Sequence, residues 1–123
     1  GAAQRFKPPR VRDIGNEIGV PEVKVRGLMK RLTRMGQVVE VAHDHFFRTQ
    51  AVAEMIQIAD RLAKASPDAS FNAAAFRDKV DNGRKVAIQV LEFFDRHGVT
   101  IRKGDIRKIR PDRLGLFGRH DAA

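Results

Sequence analysis

The chain contains no cysteine. That excludes disulfides, cysteine-ligated zinc fingers and a thiol nucleophile, and it fits a reducing compartment, with the cytoplasm as the default. No apolar run approaches the roughly 20 residues that a membrane span requires, and the start lacks the apolar core of a signal peptide. A Gly-rich loop with the spacing that cradles nucleotide phosphates is also missing, so no GTP hydrolysis and no cofactor are expected of this stretch. Gly1, Ala2 and Ala3 read as a cloning remnant, and the first motif starts abruptly, as it would in a piece of a longer protein.

Acidic residues are comparatively scarce. The 123 residues hold 24 Lys plus Arg against 15 Asp plus Glu, a formal net charge of +9. Such an excess favours a polyanionic partner, although charge alone does not separate DNA, RNA and membrane surfaces. Residues 82–123 carry ten cations and five acids, whereas residues 50–81 carry four and five. The C-terminal third is therefore the expected contact region.

The length suits one ordinary domain or two very small ones, and the order of elements occurs twice. In the first unit, Pro8 and Pro9 precede a short helix through Val11, Ile14 and Ile18 that stops at Gly19. Pro21 and Glu22 open a second helix, with Val25, Leu28, Met29, Leu32 and Met35 on one face and Lys24, Arg26, Lys30, Arg31 and Arg34 on the other. From Gln37 to Arg48 the period becomes two, with a turn at His43, Asp44 and His45. The helix that opens a complete winged helix is missing from this unit.

The second unit contains the whole pattern. Ala51–Ala65 reads as a helix, Phe71–Val80 as the next, Asp81-Asn82-Gly83 as a turn, and Arg84–His97 as a third helix. Val86, Val90, Phe93, Phe94 and His97 share its inward face. Lys85, Gln89, Glu92 and Arg96 form the opposite stripe. The hairpin Val99–Arg110 then presents Arg102, Lys103, Arg107, Lys108 and Arg110 against the single acid Asp105, while the first hairpin has one cation and two acids. The fold class expected is α+β, mostly helical with small hairpins: tandem winged helix-turn-helix domains over 1–49 and 50–123.

Arg84 and Lys85 at a helix start, where cations oppose the dipole, point to a phosphate site. The competing reading is a solvated helix end. For the wing, Arg102, Lys103 and Arg107 favour contact with a nucleic-acid backbone over simple protection of an edge strand; for Lys108 and Arg110 a solvated position competes. Gly104 and Asp105 form the wing's turn, and Asp105 is a turn residue before it is a base reader. The basic face of the second helix reads equally well as a recognition face or a solvated one. His43 and His45, in a strand, would offer a metal two ligands and no third, so no metal is expected.

The stretch FRDKVDNGRKVAIQVLEFFDRHGVTIRKGDIRKIRP, residues 76–111, resembles the last winged helix of the bacterial selenocysteine-specific elongation factors, the SelB family. There GRK, an aliphatic helix, LE, two aromatics, DR, G, T and a basic GD-containing wing recur in that order. The first unit resembles the penultimate winged helix more loosely, through the PPR motif near residue 8 and the Phe46-Phe47 pair. One departure is Ile101 directly after Thr100, where the family often carries an arginine.

The resemblance implies a module that grips an mRNA stem-loop, the selenocysteine insertion element, so that the factor decodes UGA. It implies RNA contact by Arg77, Gly83, Arg84, Lys85, Gln89, Arg102, Lys103, Gly104, Asp105, Arg107 and Arg110. GTP, the ribosome and selenocysteinyl-tRNA would be met only by the full-length factor, and this piece would be a monomer. A DNA-binding regulator of the same fold and a winged helix used only as a protein spacer remain the alternatives.

Overall fold

The computed structural model describes residues 5–118. Residues 5–10 lead without helix into α1 (Val11–Ile18) and α2 (Glu22–Arg34). Gly19, at φ 71°, ends α1, and Gly15 makes the tight turn possible: a Cβ there would lie 2.7 Å from the Val20 carbonyl oxygen. This is a helix-turn-helix corner in which only a hydrogen fits at position 15. The antiparallel wing β1 (Val38–Ala42) and β2 (His45–Arg48) follows, with a bulge between Glu40 and Ala42.

The chain enters α3 (Thr49–Lys64) with no linker. Thr49 holds the junction, its N–H donating to the Gln37 carbonyl (3.1 Å) and its hydroxyl to the Gly36 carbonyl (2.7 Å). Next come β3 (Ser70–Asn72), α4 (Ala73–Val80), α5 (Arg84–Arg96), β4 (Thr100–Lys103) and β5 (Ile106–Ile109), the three strands ordered β3-β5-β4. A 3₁₀ turn at Pro111–Arg113 leads Leu114 and Phe117 back onto the main core. The whole is α+β, with a helix-turn-helix and wing in each half.

Phe71 departs from the expected pattern, since it lies in strand β3 and not in a helix. Asn72 is the reason: its side chain accepts from the Ala75 N–H (2.9 Å) and caps α4, which fixes the helix start one residue later. Phe71 is then free to pair with Arg107 of β5.

Adjacent Phe46 and Phe47 explain how the halves are joined. Successive residues of a strand point to opposite faces, so Phe46 enters a small cluster with Val11 and Val25, while Phe47 enters the main core. There it meets residues of α3, α4 and α5, including Met55, Ile56, Phe76, Leu91 and Phe94, and Phe6 and Val41 join from the same half. On α2 only Val25 is buried, and Leu28 and Met35, expected on an inward face, are exposed. His97, expected inside, lies at the rim with its ring against Phe93 (4.2 Å) and Phe117 (5.6 Å).

Candidate nucleic-acid interface

The second half's cationic centre is the start of α5. Asp81 (φ 52°) and Gly83 (φ 79°, ψ 159°) bend the chain so that Arg84 and Lys85 form the exposed first turn. The conformation of Gly83 is one that almost only glycine adopts. No acid occupies that first turn, so the positive end of the helix dipole and both cations are uncompensated among the described residues. The start of α2 is the opposite case. It carries Glu22, and Arg26 there is held by Asp44 at 2.6 Å and by Glu22 at 3.3 Å, an arrangement that keeps the Asp44 carboxyl below its usual range.

The same compensation runs along α2, where Lys30 meets Glu40 of the wing at 2.7 Å. The acids of the first wing thus neutralise part of the basic helix face, leaving Lys24, Arg31 and Arg34 without an acidic partner among the described residues. Residues 1–49 hold ten cations and five acids, the same as residues 82–123. What distinguishes the start of α5 is that neither Arg84 nor Lys85 meets an acid among the described residues, whereas the start of α2 carries Glu22 paired with Arg26. Glu40, His43 and Asp44 bring three ligand atoms within 4.8 Å of one another, but a metal there would have to displace Lys30 and Arg26. His43 lies exposed in the turn and His45 is buried on β2, so the two rings do not form a pair.

On the second wing, opposite residues share a face. Ile101 faces Lys108 and Lys103 faces Ile106, and all four are exposed. Arg102 shares the other face with Arg107, but near the tip, where its Nε donates to the Gly104 carbonyl at 2.9 Å and the rest of its guanidinium stays in solvent. Gly104 (φ 58°) and Asp105 form the turn, with glycine where the backbone demands positive φ.

Arg107 must be corrected. It was expected to meet phosphate, yet its side chain is 5% exposed, with Nε 3.1 and 3.2 Å from the Asp95 oxygens and a terminal nitrogen at 2.9 Å. Thr100 donates its hydroxyl to the same carboxylate. Gln89 is likewise engaged: its Oε1 accepts from Arg10 of the first half at 3.0 Å. The stripe of α5 opposite its inward face is in part a seam, for Arg96 also donates to the Val41 carbonyl at 3.2 Å.

Arg110 lies beside Gly98 at the far end of α5 and pairs with Asp112 at 3.4 Å, a helix length of about 20 Å from Arg84. Arg77, in the last turn of α4, is partly exposed and rests against Asp78 at 3.4 Å. Two further cations escaped the sequence reading. Lys7 brings its Nζ to within 3.6 Å of where a Gly83 Cβ would stand, and Arg10 reaches Gln89. Their only signal was two cations bracketing Pro8 and Pro9.

The family model described as "Elongation factor SelB, winged helix" matches residues 64–109. A solved structure described as the mRNA-binding domain of elongation factor SelB from E. coli, in complex with SECIS RNA, superimposes with a TM-score of 0.77 at 31% identity, covering 89% of this chain and 93% of that one. The chain belongs to the SelB elongation-factor family.

Full-length relatives agree. The selenocysteine-specific elongation factor of Escherichia coli is 34% identical over 104 residues, which is 85% of this chain and 17% of that protein. The Haemophilus influenzae factor is 31% identical over 100 residues, 81% and 16%. The chain therefore spans about a sixth of the SelB proteins it matches. No helix among the described residues is long and apolar enough to cross a membrane.

Proposed function

We propose that this chain is the mRNA-hairpin grip of a selenocysteine-specific elongation factor, with residues 50–123 making the contact and residues 1–49 bracing it. The likeness to a SelB domain solved with SECIS RNA carries the reading. The uncompensated cations of the α5 start and the wing give it a mechanism. Arg84, Lys85 and the α5 backbone N–H groups hold phosphates, and Lys103 and Arg102 on the wing hold the neighbouring backbone. An A-form major groove is too narrow for a helix to read, so selectivity comes from unpaired loop nucleotides.

The full-length factor then delivers selenocysteinyl-tRNA to the ribosome at an in-frame UGA using GTP, in the cytoplasm. The present piece acts as a non-catalytic monomer. Direct titration with an RNA stem-loop and with duplex DNA at matched salt tests the reading. The stem-loop binds more tightly, loop substitutions weaken it, and stem swaps that preserve pairing do not. Equal or better binding to the duplex would make a DNA regulator the better account.

A further inference from the structure

The start of α5 lacks the devices that usually fix a helix start. Its N-cap is Gly83, no side chain caps the first turn by a hydrogen bond, and no acid sits there. The turn before it is strained as well, since Asp81 stands at φ 52° and Gly83 at φ 79°. Such backbone persists only where the surroundings over-determine it. Between the two stands Asn82, which is 0% exposed. It does not cap its helix as Asn72 caps α4; its Nδ2 donates instead to the carbonyl of Phe6 at 3.0 Å, 76 residues away in the first half. A carbonyl only accepts, so the amide nitrogen must face it and the side chain has one orientation.

The acceptor is itself held. Phe6 is buried in the main core, the Arg5 guanidinium covers its ring at 4.6 Å, and Arg5 pairs with Glu54 of α3 at 3.1 Å. The bond therefore ties the turn before α5 to a backbone segment anchored on α3. Asn82 Oδ1, however, is buried without a partner among the described residues. The gain of one neutral hydrogen bond and the cost of one buried unsatisfied acceptor are of similar size, so what Asn82 fixes is position more than stability. We propose that Asn82 is a positioning residue of the RNA grip: its bond to Phe6 sets where the first turn of α5 stands, and with it Arg84 and Lys85, so that the first half shapes phosphate binding by the second. This rests on the hairpin reading.

The experiment measures stem-loop binding by the full chain at several salt concentrations, for the unmutated protein, Asn82→Ala, the double variant Arg84→Ala with Lys85→Ala, and the triple combination. Asn82→Ala weakens binding about tenfold and makes the log–log salt slope shallower by about 1.5 units, as the two phosphate contacts are lost. In the background that lacks both cations, the same substitution changes affinity less than about twofold, because it acts through them. A merely structural role would lower the melting temperature and leave the slope of the folded chain unmoved. Should Asn82→Ala not fold, Asn82→Leu refills the space without the donor and carries the same measurements.

Amide exchange of Ala87, whose N–H makes the first hydrogen bond of α5 to the Gly83 carbonyl at 3.0 Å, reads the helix start without RNA. In the Asn82 variant it speeds up at least about tenfold more than that of Leu91, deeper in the same helix. Unchanged affinity and slope in the folded variant, or equal losses with and without Arg84 and Lys85, overturn the proposal. If the unmutated chain does not bind the stem-loop, the hairpin reading falls and the exchange decides alone: faster at Ala87 than at Leu91 sustains the positioning of the turn, and equal change at both overturns it.

Discussion

Arg107 and Asp95 form a two-pronged ion pair beneath the second wing, with nitrogen to oxygen distances from 2.9 to 3.2 Å, and Thr100 completes the carboxylate's coordination. The pair ties strand β5 to the last turn of α5, so the wing is held at a fixed angle to the helix whose start carries Arg84 and Lys85.

Arg107→Ala is expected to destabilise the protein by about 3 kcal/mol, because it leaves the partly buried Asp95 charge without its partner. Urea unfolding measures this. RNA affinity of the folded fraction falls only to the extent that the wing loosens. A stable variant with a large loss of affinity would show that Arg107 contacts RNA after all.

Lys103→Ala is expected to weaken stem-loop binding and to make its salt dependence shallower by about 0.7 to 0.9 of a unit in the log–log slope, the release of one counterion. Lys108→Ala, on the same outward face, reports whether the contact extends along the strand. Titrations at four or five salt concentrations give both slopes. If neither slope moves while folding is intact, the wing lies outside the interface.

Gly83→Ala is expected to cost about 1 to 3 kcal/mol, since φ 79° with ψ 159° strains any residue with a Cβ. It should also weaken RNA binding, because the first turn of α5 must shift. Thermal melting and a binding titration on the same sample check the two effects. A variant with unchanged melting would mean that the Asp81–Gly83 turn adopts another conformation.

Acid should destabilise the chain well before carboxylates titrate. His45 is held below 6.5 by burial, so below that pH the unfolded chain takes up a proton that the folded one refuses. The stability is fully present above about pH 7 and is lost as the pH falls toward 5. His97, lowered in the same direction, adds to the trend. Melting temperatures across that window measure it, and His45→Phe flattens the curve. A flat curve for the unmutated chain would contradict the buried neutral state.

Apart from strand β3, the order of elements was legible in the sequence, because helical and strand periods alternate with Gly, Pro and Asp-Asn-Gly punctuation. So was the helix start at Arg84 and Lys85, because the two cations follow directly on the Asp-Asn-Gly turn. Which wing cations reach solvent was not legible. Ile106 and Ile109 are three residues apart in a period-two strand, so they face opposite ways and hydrophobicity leaves either parity open. Pairing with β3 decided it, placing Arg107 beside Phe71 on the buried face and Lys108 outside.

Tertiary structure likewise chose among the first half's cations. Nothing local says that Asp44 will take Arg26 and Glu40 will take Lys30, since those partners lie 18 and 10 residues apart. Nor does any pattern on α5 show that Gln89 and Arg96 will meet the first half. Those contacts exist because Phe47, on the opposite face of its strand from Phe46, is drawn into the second half's core. Local periodicity determines each element and its apolar face, but only the packing of one element on another determines which charges are paired and which stay free to bind.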